Sequence, residues 1–204
     1  MATALDIINE WAADIEEKQT VGKGLRLRWL NQAQLRYAAR SEMLRSEWQP
    51  TVPASGNIAL VTDFLREFPD LVKREVGETL KYPLLKIDYW KAINLTFVTV
   101  STHYSIFNGK LYVWAAGALT PSIPYVKKPA VITDLDTSNL EIPSEFHYQL
   151  IPYLDAKFER YKGRMSFVEE ASFLQNFDQQ AGLDGYRFRQ RQDDAPRMRA
   201  SRLG

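Results

Sequence analysis

Few residues in this chain could do chemistry. It has two histidines, His103 and His147, and no cysteine. The lack of cysteine excludes disulfides, thiolate metal sites and a cysteine nucleophile. The histidines stand at no ligand spacing, and neither His-Glu-x-x-His nor Gly-x-Ser-x-Gly occurs. Gly22-Lys23-Gly24 lacks the leading glycine spacing and the following Ser/Thr of a phosphate loop. Asp134 and Asp136 in "TDLDTSNLE" begin like a calcium loop, but Asn139 stands where the sixth-position glycine is required. The segment reads instead as a loop entering a helix. Glu16-Glu17 and Glu169-Glu170 read as solvated faces and helix-dipole partners. No acid and base with opposed environments can be nominated. The expectation is a protein with no catalytic residues, no cofactor and no metal.

The charge that could recognise something is concentrated at the end, in "YRFRQRQDDAPRMRASRLG". Residues 186–204 carry six of the 26 basic side chains, all arginine, and two of the 25 acidic ones. The strip is therefore net +4 and the remainder net −3. Arg187, Arg189 and Arg191 alternate with Tyr186, Phe188, Gln190 and Gln192. An extended strand would put arginines on one side and aromatics on the other, as single-strand binders do. A +4 strip on an acidic body predicts only weak, salt-sensitive nucleic-acid binding. A solubilising tail is a second reading. An arm that orders on a partner is a third, favoured by the anchors Tyr186, Phe188, Met198 and Leu203.

The elements around these residues follow from periodicity. A chain of 204 residues suggests one domain, or one with an insertion. No apolar run approaches the roughly 18 residues of a membrane span, and the acidic N-terminus does not resemble a signal peptide. The expectation is a soluble chain made in a reducing cytoplasm, with no membrane partner. Thr3 and Asp6 predict the start of a first helix with Leu5, Ile8, Trp11 and Ile15 on its stripe. A second helix is expected over 25–47, with Leu27, Leu30, Gln34, Tyr37, Ala38 and Leu44 inward. From Trp48 the signals become prolines, glycines and short β-rich runs. In "YSIFNGKLYVW", Asn108-Gly109 suits a two-residue type I′ turn that pairs Ile106 with Leu111 and Tyr104 with Val113. The other face would carry Ser105, Phe107, Lys110 and Tyr112. "NIALVTDFL", "LVKREV", "TLKYPLLKI" and "PSIPYVKK" are weaker strand candidates. A third helix spans "IPSEFHYQLIPYLDAKFERYKG", with stripe Phe146, Leu150, Tyr153, Leu154, Phe158 and Tyr161. Pro152 should kink it or mark a local bend, and Gly163 should end it. Ser166 and Glu169 form a capping box for a fourth helix with stripe Phe167, Ala171, Leu174, Phe177 and Ala181. Gly182 suits its end.

The expected fold is thus α+β: a four-helix bundle with an inserted antiparallel sheet and an extended C-terminal tail. Its expected segments are an N-terminal helical pair (1–47), a β insertion (48–133), a C-terminal helical pair (134–185) and a basic tail (186–204).

Four stretches in this order resemble the head-to-tail adaptor (connector, head-completion) proteins of tailed bacteriophages. "LRLRWLNQAQLRYAARSEM" is similar to that family's "wlN-x-aq" helix, and "VTDFLREFPDLVKREV…YPLLKID" to its "P-x-dFlr" segment. "HYSIFNGKLYVWAAG" resembles its hairpin. "PSIPYVKKPAVITDLDTSNLEIPSEFHYQLIPYLDAKF" resembles its strand and following helix. "WAAGAL" departs from the family's proline-rich stretch after the hairpin. The resemblance implies a virion protein at the portal vertex, assembled in the host bacterial cytoplasm. It implies a homo-oligomeric ring, a dodecamer in relatives. The implied partners are the portal protein, a tail or nozzle protein, and the genomic DNA passing through the channel. By position it implies a portal-binding arm at Tyr186, Arg187, Phe188, Arg189, Arg191, Arg197, Met198, Arg199, Arg202 and Leu203. The aromatic hairpin face, with Phe107, Asn108, Gly109, Lys110, Tyr112 and Trp114, is expected to meet the tail or a neighbouring subunit. The alternative reading is a nucleic-acid-binding accessory protein that uses the arginine strip.

Overall fold

A computed structural model of the chain describes residues 3–53, 56–68, 74–75, 84–94, 103–115 and 117–201, with backbone alone described at 74–75 and 193–201. The fold is mixed α+β, with six α-helices and two β-sheets among the described residues. It forms two compact units, 1–44 with 128–204, and 45–127.

The helical unit starts at α1 (Ala4–Ala12). Its capping box forms as expected: the Asp6 N–H donates to Thr3 Oγ1 at 3.2 Å, and the Thr3 N–H donates to Asp6 Oδ2 at 2.6 Å. The Thr3 N–H, and after it the Thr3 hydroxyl at 3.0 Å, donate to the Asp6 carboxyl and hold it below its ordinary value. After a short α2 (Glu16–Gln19) comes α3 (Lys23–Ser41). A 3₁₀ helix (Ser144–Leu150) runs directly into α5 (Ile151–Tyr161), and α6 spans Phe167–Ser201. These elements share one core, in which Trp11 meets Trp29 and Phe158 edge-on at 6.2 and 5.9 Å. Such T-shaped contacts are favoured because ring edges and faces carry opposite partial charge. Buried Lys18 reaches Asp155 at 2.7 Å and the Trp11 carbonyl at 3.1 Å, and the Trp11 indole N–H donates to the same Asp155 oxygen. The ammonium is thus buried with its partners in place.

Several expectations need correction here. The second helix ends at Ser41 rather than at residue 47. Glu42 takes a left-handed conformation, φ 57°, and after Met43 and Leu44 strand β1 (Arg45–Trp48) begins. Pro152 falls at the start of α5, where its missing N–H costs nothing, so it marks the change from 3₁₀ to α rather than a kink. Phe167 and Ala171 are exposed, while Leu174, Phe177 and Ala181 are buried as expected. The largest correction concerns the tail. The chain does not leave the helix after Gly185; α6 continues to Ser201. Gly182 and Gly185 are absent from the positive-φ glycines, so neither ends the helix. Gly185 serves a close approach instead: a Cβ there would lie 1.9 Å from the Ser41 carbonyl oxygen. Gly163, at φ 72°, does end α5.

The other unit contains two sheets. In one, β8 (Pro121–Lys127) lies between β1 and β3 (Phe64–Glu67), and β4 (Arg74–Glu75) also pairs with β8. The other has the order β2 (Asn57–Ala59), β7 (Lys110–Trp114), β6 (His103–Phe107), β5 (Leu85–Lys86). Two sheets replace the single one expected, and the β5–β6 pair is parallel. "NIALVTDFL" forms β2 and β3. "LVKREV" and "TLKYPLLKI" yield β4 and β5, and the rest of those two candidates, 71–73, 76 and 79–83, lies outside the described residues. β8 carries Pro124 in a central strand, an unfavourable place for a residue without an N–H. The structure accommodates it where β3 ends: the Pro124 carbonyl accepts from the Phe68 N–H at 3.1 Å, so its missing donor faces the end of that strand. The core joins the inner faces of both sheets through Phe64, Ile123 and Tyr125 on one, and Tyr104, Leu111 and Val113 on the other.

Candidate docking surfaces

The hairpin pairs in the expected register, Tyr104 with Val113 and Ile106 with Leu111. Asn108 and Gly109 have φ of 47° and 70°, as a type I′ turn requires. Tyr104, Leu111 and Val113 are buried, and Phe107, Tyr112 and Trp114 form the opposite face. That face is not bare. A four-residue helix, α4 (Tyr89–Ala92), begins with Asp88 accepting from the Lys91 N–H. It lays Tyr89 flat on Phe107, ring centroids 4.4 Å apart and planes 5° apart, with Tyr112 and Trp114 at 4.7 and 6.4 Å. What the surface presents is therefore Trp90, 60% exposed, together with Ile93, the half-exposed rims of the cluster and the turn Asn108-Gly109-Lys110. A cavity of about 440 Å³ lies beside it, its lining including Lys86, Asp88, Trp90, Ser105 and Phe107. Trp90 was not among the expected interface residues. The "Asp-Tyr-Trp-Lys" start is a capping signal, but it opens only one helical turn and so leaves no period to read.

The arginine strip is held on the helical unit over its first turns. Phe188 packs edge-on against Phe146 at 6.0 Å. Arg189 donates to Glu42 Oε2 at 2.8 Å and to the Ser41 carbonyl at 3.3 Å, and Arg191 reaches Glu145 at 3.1 Å. Tyr186 and Arg187 remain exposed. The side chains of Arg197, Met198 and Arg199, and the whole of Arg202 and Leu203, lie outside the described residues. Helical spacing explains the split. Gly185, Phe188, Arg189 and Gln192 share one side of α6, whereas an extended strand would have grouped Arg187, Arg189 and Arg191. Upstream, the same helix interface carries a polar set that is buried at Tyr37 and Asp184 and part-buried at Arg36 and Asp178. The Tyr37 hydroxyl donates to Asp184 at 2.9 Å, and Arg36 makes a two-bond fork on Asp178 at 2.6 and 3.0 Å. Burial, then the Asp184 bond, raises the Tyr37 phenol far above its ordinary value, so it stays neutral.

The other sequence candidates settle into structural roles. His147 is buried beside the stripe, hydrogen-bonded to the Ile142 carbonyl at 2.7 Å, and His103 pairs opposite Trp114. The Asp134–Asp136 loop holds an ammonium: Lys23 Nζ lies 2.8 and 3.4 Å from the two carboxylates. That contact, above all the hydrogen bond from Lys23, depresses the Asp134 carboxyl. Among the described residues no group of three or more His, Asp or Glu could hold a metal, and no helix is long and apolar enough to cross a membrane.

The "WLNQAQ" stretch has a physical reason too. Asn31 donates to the Ile132 carbonyl at 2.9 Å and accepts the Ile132 N–H at 2.8 Å, and Gln34 donates to the Ala130 carbonyl at 2.8 Å. Two carboxamides on α3 thereby hold the chain that follows β8, as a neighbouring strand would. This clamp is made by residues of two of the stretches on which the adaptor resemblance rests. A search of curated proteins finds no match to the chain. The family model described as SU10 adaptor protein matches residues 2–202, nearly the whole sequence, and the chain belongs to that family.

Proposed function

We propose that this protein is a structural head-to-tail adaptor of a tailed phage, a ring of identical subunits between the portal protein and the tail. The observation that carries the reading is the family match across residues 2–202. The ring encircles the genomic DNA at the portal vertex, and a dodecamer is the copy number the family resemblance implies. Chemistry is no part of the role.

Two surfaces take the partners. The end of α6 binds the portal, with Tyr186 and Arg187 exposed and the arginines of 197–202 beyond them; guanidinium forks suit carboxylates on a partner. Trp90, Ile93 and the turn Asn108-Gly109-Lys110 meet the tail or nozzle protein, because an exposed tryptophan beside packed rings is what interfaces select.

The test is electron microscopy and co-sedimentation with the matching portal protein. Rings on the portal are expected from the intact chain. Truncation after Gln192 spares the contacts of Phe188, Arg189 and Arg191, so it should leave the fold intact and abolish docking. Normal docking by the truncated chain, with reduced and salt-sensitive DNA affinity, would favour the nucleic-acid reading instead.

A further inference from the structure

The helical unit carries two unlike exposed surfaces that complement each other. α3 turns Arg36, Tyr37, Arg40 and Ser41 toward α6. Its opposite side presents Arg28, Asn31, Gln32 and Leu35, spaced three and four apart. With Lys128, Pro129 and Val131 these residues enclose a groove of about 370 Å³. Its apolar lip is exposed, Leu35 by 41% and Val131 by 73%. Arg28 and Lys128 flank it, and neither forms an ion pair with a described residue. No carboxylate lines it; Glu141, on the same stretch, is engaged by the Ala130 N–H at 3.0 Å.

The second surface lies where α2 meets the loop that leads from α5 into α6, tied together by Arg164 on Glu17 at 2.8 Å. It exposes Phe167 by 72%, Val168 by 76% and Ile15 by 37%. Asp14 and Glu16 beside Ile15 are exposed and make no ion pair with a described residue. Glu17 is already neutralised by Lys162 and Arg164, so the free charge here is negative.

We propose that the α3 groove of one copy receives the Ile15–Phe167–Val168 face of the next. Apolar meets apolar at the centre, and Arg28 and Lys128 meet Asp14 and Glu16 at the rim. The two patches differ, so the contact is heterologous: every copy keeps a free groove and a free face until a ring closes. The inference rests on the ring reading above and names the surface by which the ring is built.

Charge inversion tests it. Arg28→Glu with Lys128→Glu gives an acidic groove and an acidic face; Asp14→Lys with Glu16→Lys gives a basic pair. Each variant alone should lose ring yield on the portal about tenfold or more, because like charges then meet. An equimolar mixture should recover it as alternating rings. Full assembly by either variant alone, or no recovery from two folded variants, overturns the proposal. Because the chain has no cysteine, Val131→Cys with Val168→Cys gives an independent readout. A ladder of disulfide-linked copies is expected from the double variant and none from either single one; no ladder overturns the contact. Intact chain bound to the portal as isolated copies would refute this interface and leave the adaptor reading standing. Intact chain that never binds the portal would remove both.

Discussion

The two units reach stability by different routes. In the helical unit, large rings and aliphatic side chains recur at three- and four-residue spacing, and buried or part-buried charges come already paired: Lys18 with Asp155, Arg36 with Asp178, Lys157 with Glu170. In the β unit the strands are two to seven residues long, and the core rests on distant pairings such as Arg45 with Val126. Its aromatic side chains are divided, some packed between the sheets and others stacked on the outside beneath Tyr89. A helical core can be specified by local spacing alone. A core of short strands needs partners that the local sequence does not name.

The sharpest way to break this comparison is to cut each core at its centre. Trp11→Ala removes the ring that joins α1, α3 and α5, and should cost about 3–5 kcal/mol. Leu111→Ala in the hairpin should cost about 2–5 kcal/mol. Guanidinium denaturation with far-ultraviolet dichroism reads both; a loss under 1 kcal/mol at Trp11 would mean that the helical core does not depend on it.

Next comes a pair of glycines three residues apart on α6. Gly185→Ala forces a methyl group into the Ser41 carbonyl and should destabilise by about 1–3 kcal/mol. Gly182→Ala meets nothing within 4 Å and should stabilise by about 0.5–1 kcal/mol. Melting temperatures moving in the same direction for both variants would contradict the close crossing. In the β unit, Gly109→Val should cost about 1–3 kcal/mol, because a β-branched residue is strained at positive φ; an unchanged melting temperature would argue against the turn.

The smallest effects are at the caps. Thr3→Ala and Ser166→Ala should each cost about 1 kcal/mol in thermal unfolding. The caps also set an acid limit. Asp6 and Glu169 both titrate below their ordinary values of 3.8 and 4.5. A depressed carboxyl contributes stability above its unfolded pKa and loses it as pH falls through the folded one. The melting temperature should therefore drop on acidification through and below those values, and Asp6→Asn should flatten the drop. A melting temperature independent of pH in that window would contradict the bonds at these caps.

Legibility in the sequence followed the same division. Thr3 with Asp6, Ser166 with Glu169 and Asn108-Gly109 could be read because each is a local bond or a local backbone requirement. The third-helix stripe could be read because Phe146, Leu150, Leu154 and Phe158 keep their period across the 3₁₀ segment. The end of α3 could not. Nothing around Glu42 is a breaker, and the left-handed turn there is supported by Arg189, a residue 147 positions away. The α6 extension was missed because Gly182 and Gly185 look like stops; the closeness of Ser41, a tertiary fact, gives Gly185 its purpose. Of the candidate surfaces, the hairpin turn was legible, whereas Trp90 and the α3 groove were not, since both arise from chain segments brought together only by folding.

The clamp of Asn31 and Gln34 on residues 130–132 has a consequence for synthesis. The helical unit is interrupted by the 83 residues of 45–127. At roughly 5–20 residues per second, the first 44 residues wait about 4–17 s for the chain that completes their core. During that interval Trp11, Leu30 and Tyr37 lack most of their burial. Loop-closure entropy must be met before the clamp can form, so this mostly helical unit should fold more slowly than a bundle of consecutive helices. Chaperones that shield exposed apolar segments would find their substrate in the first 44 residues of the nascent chain.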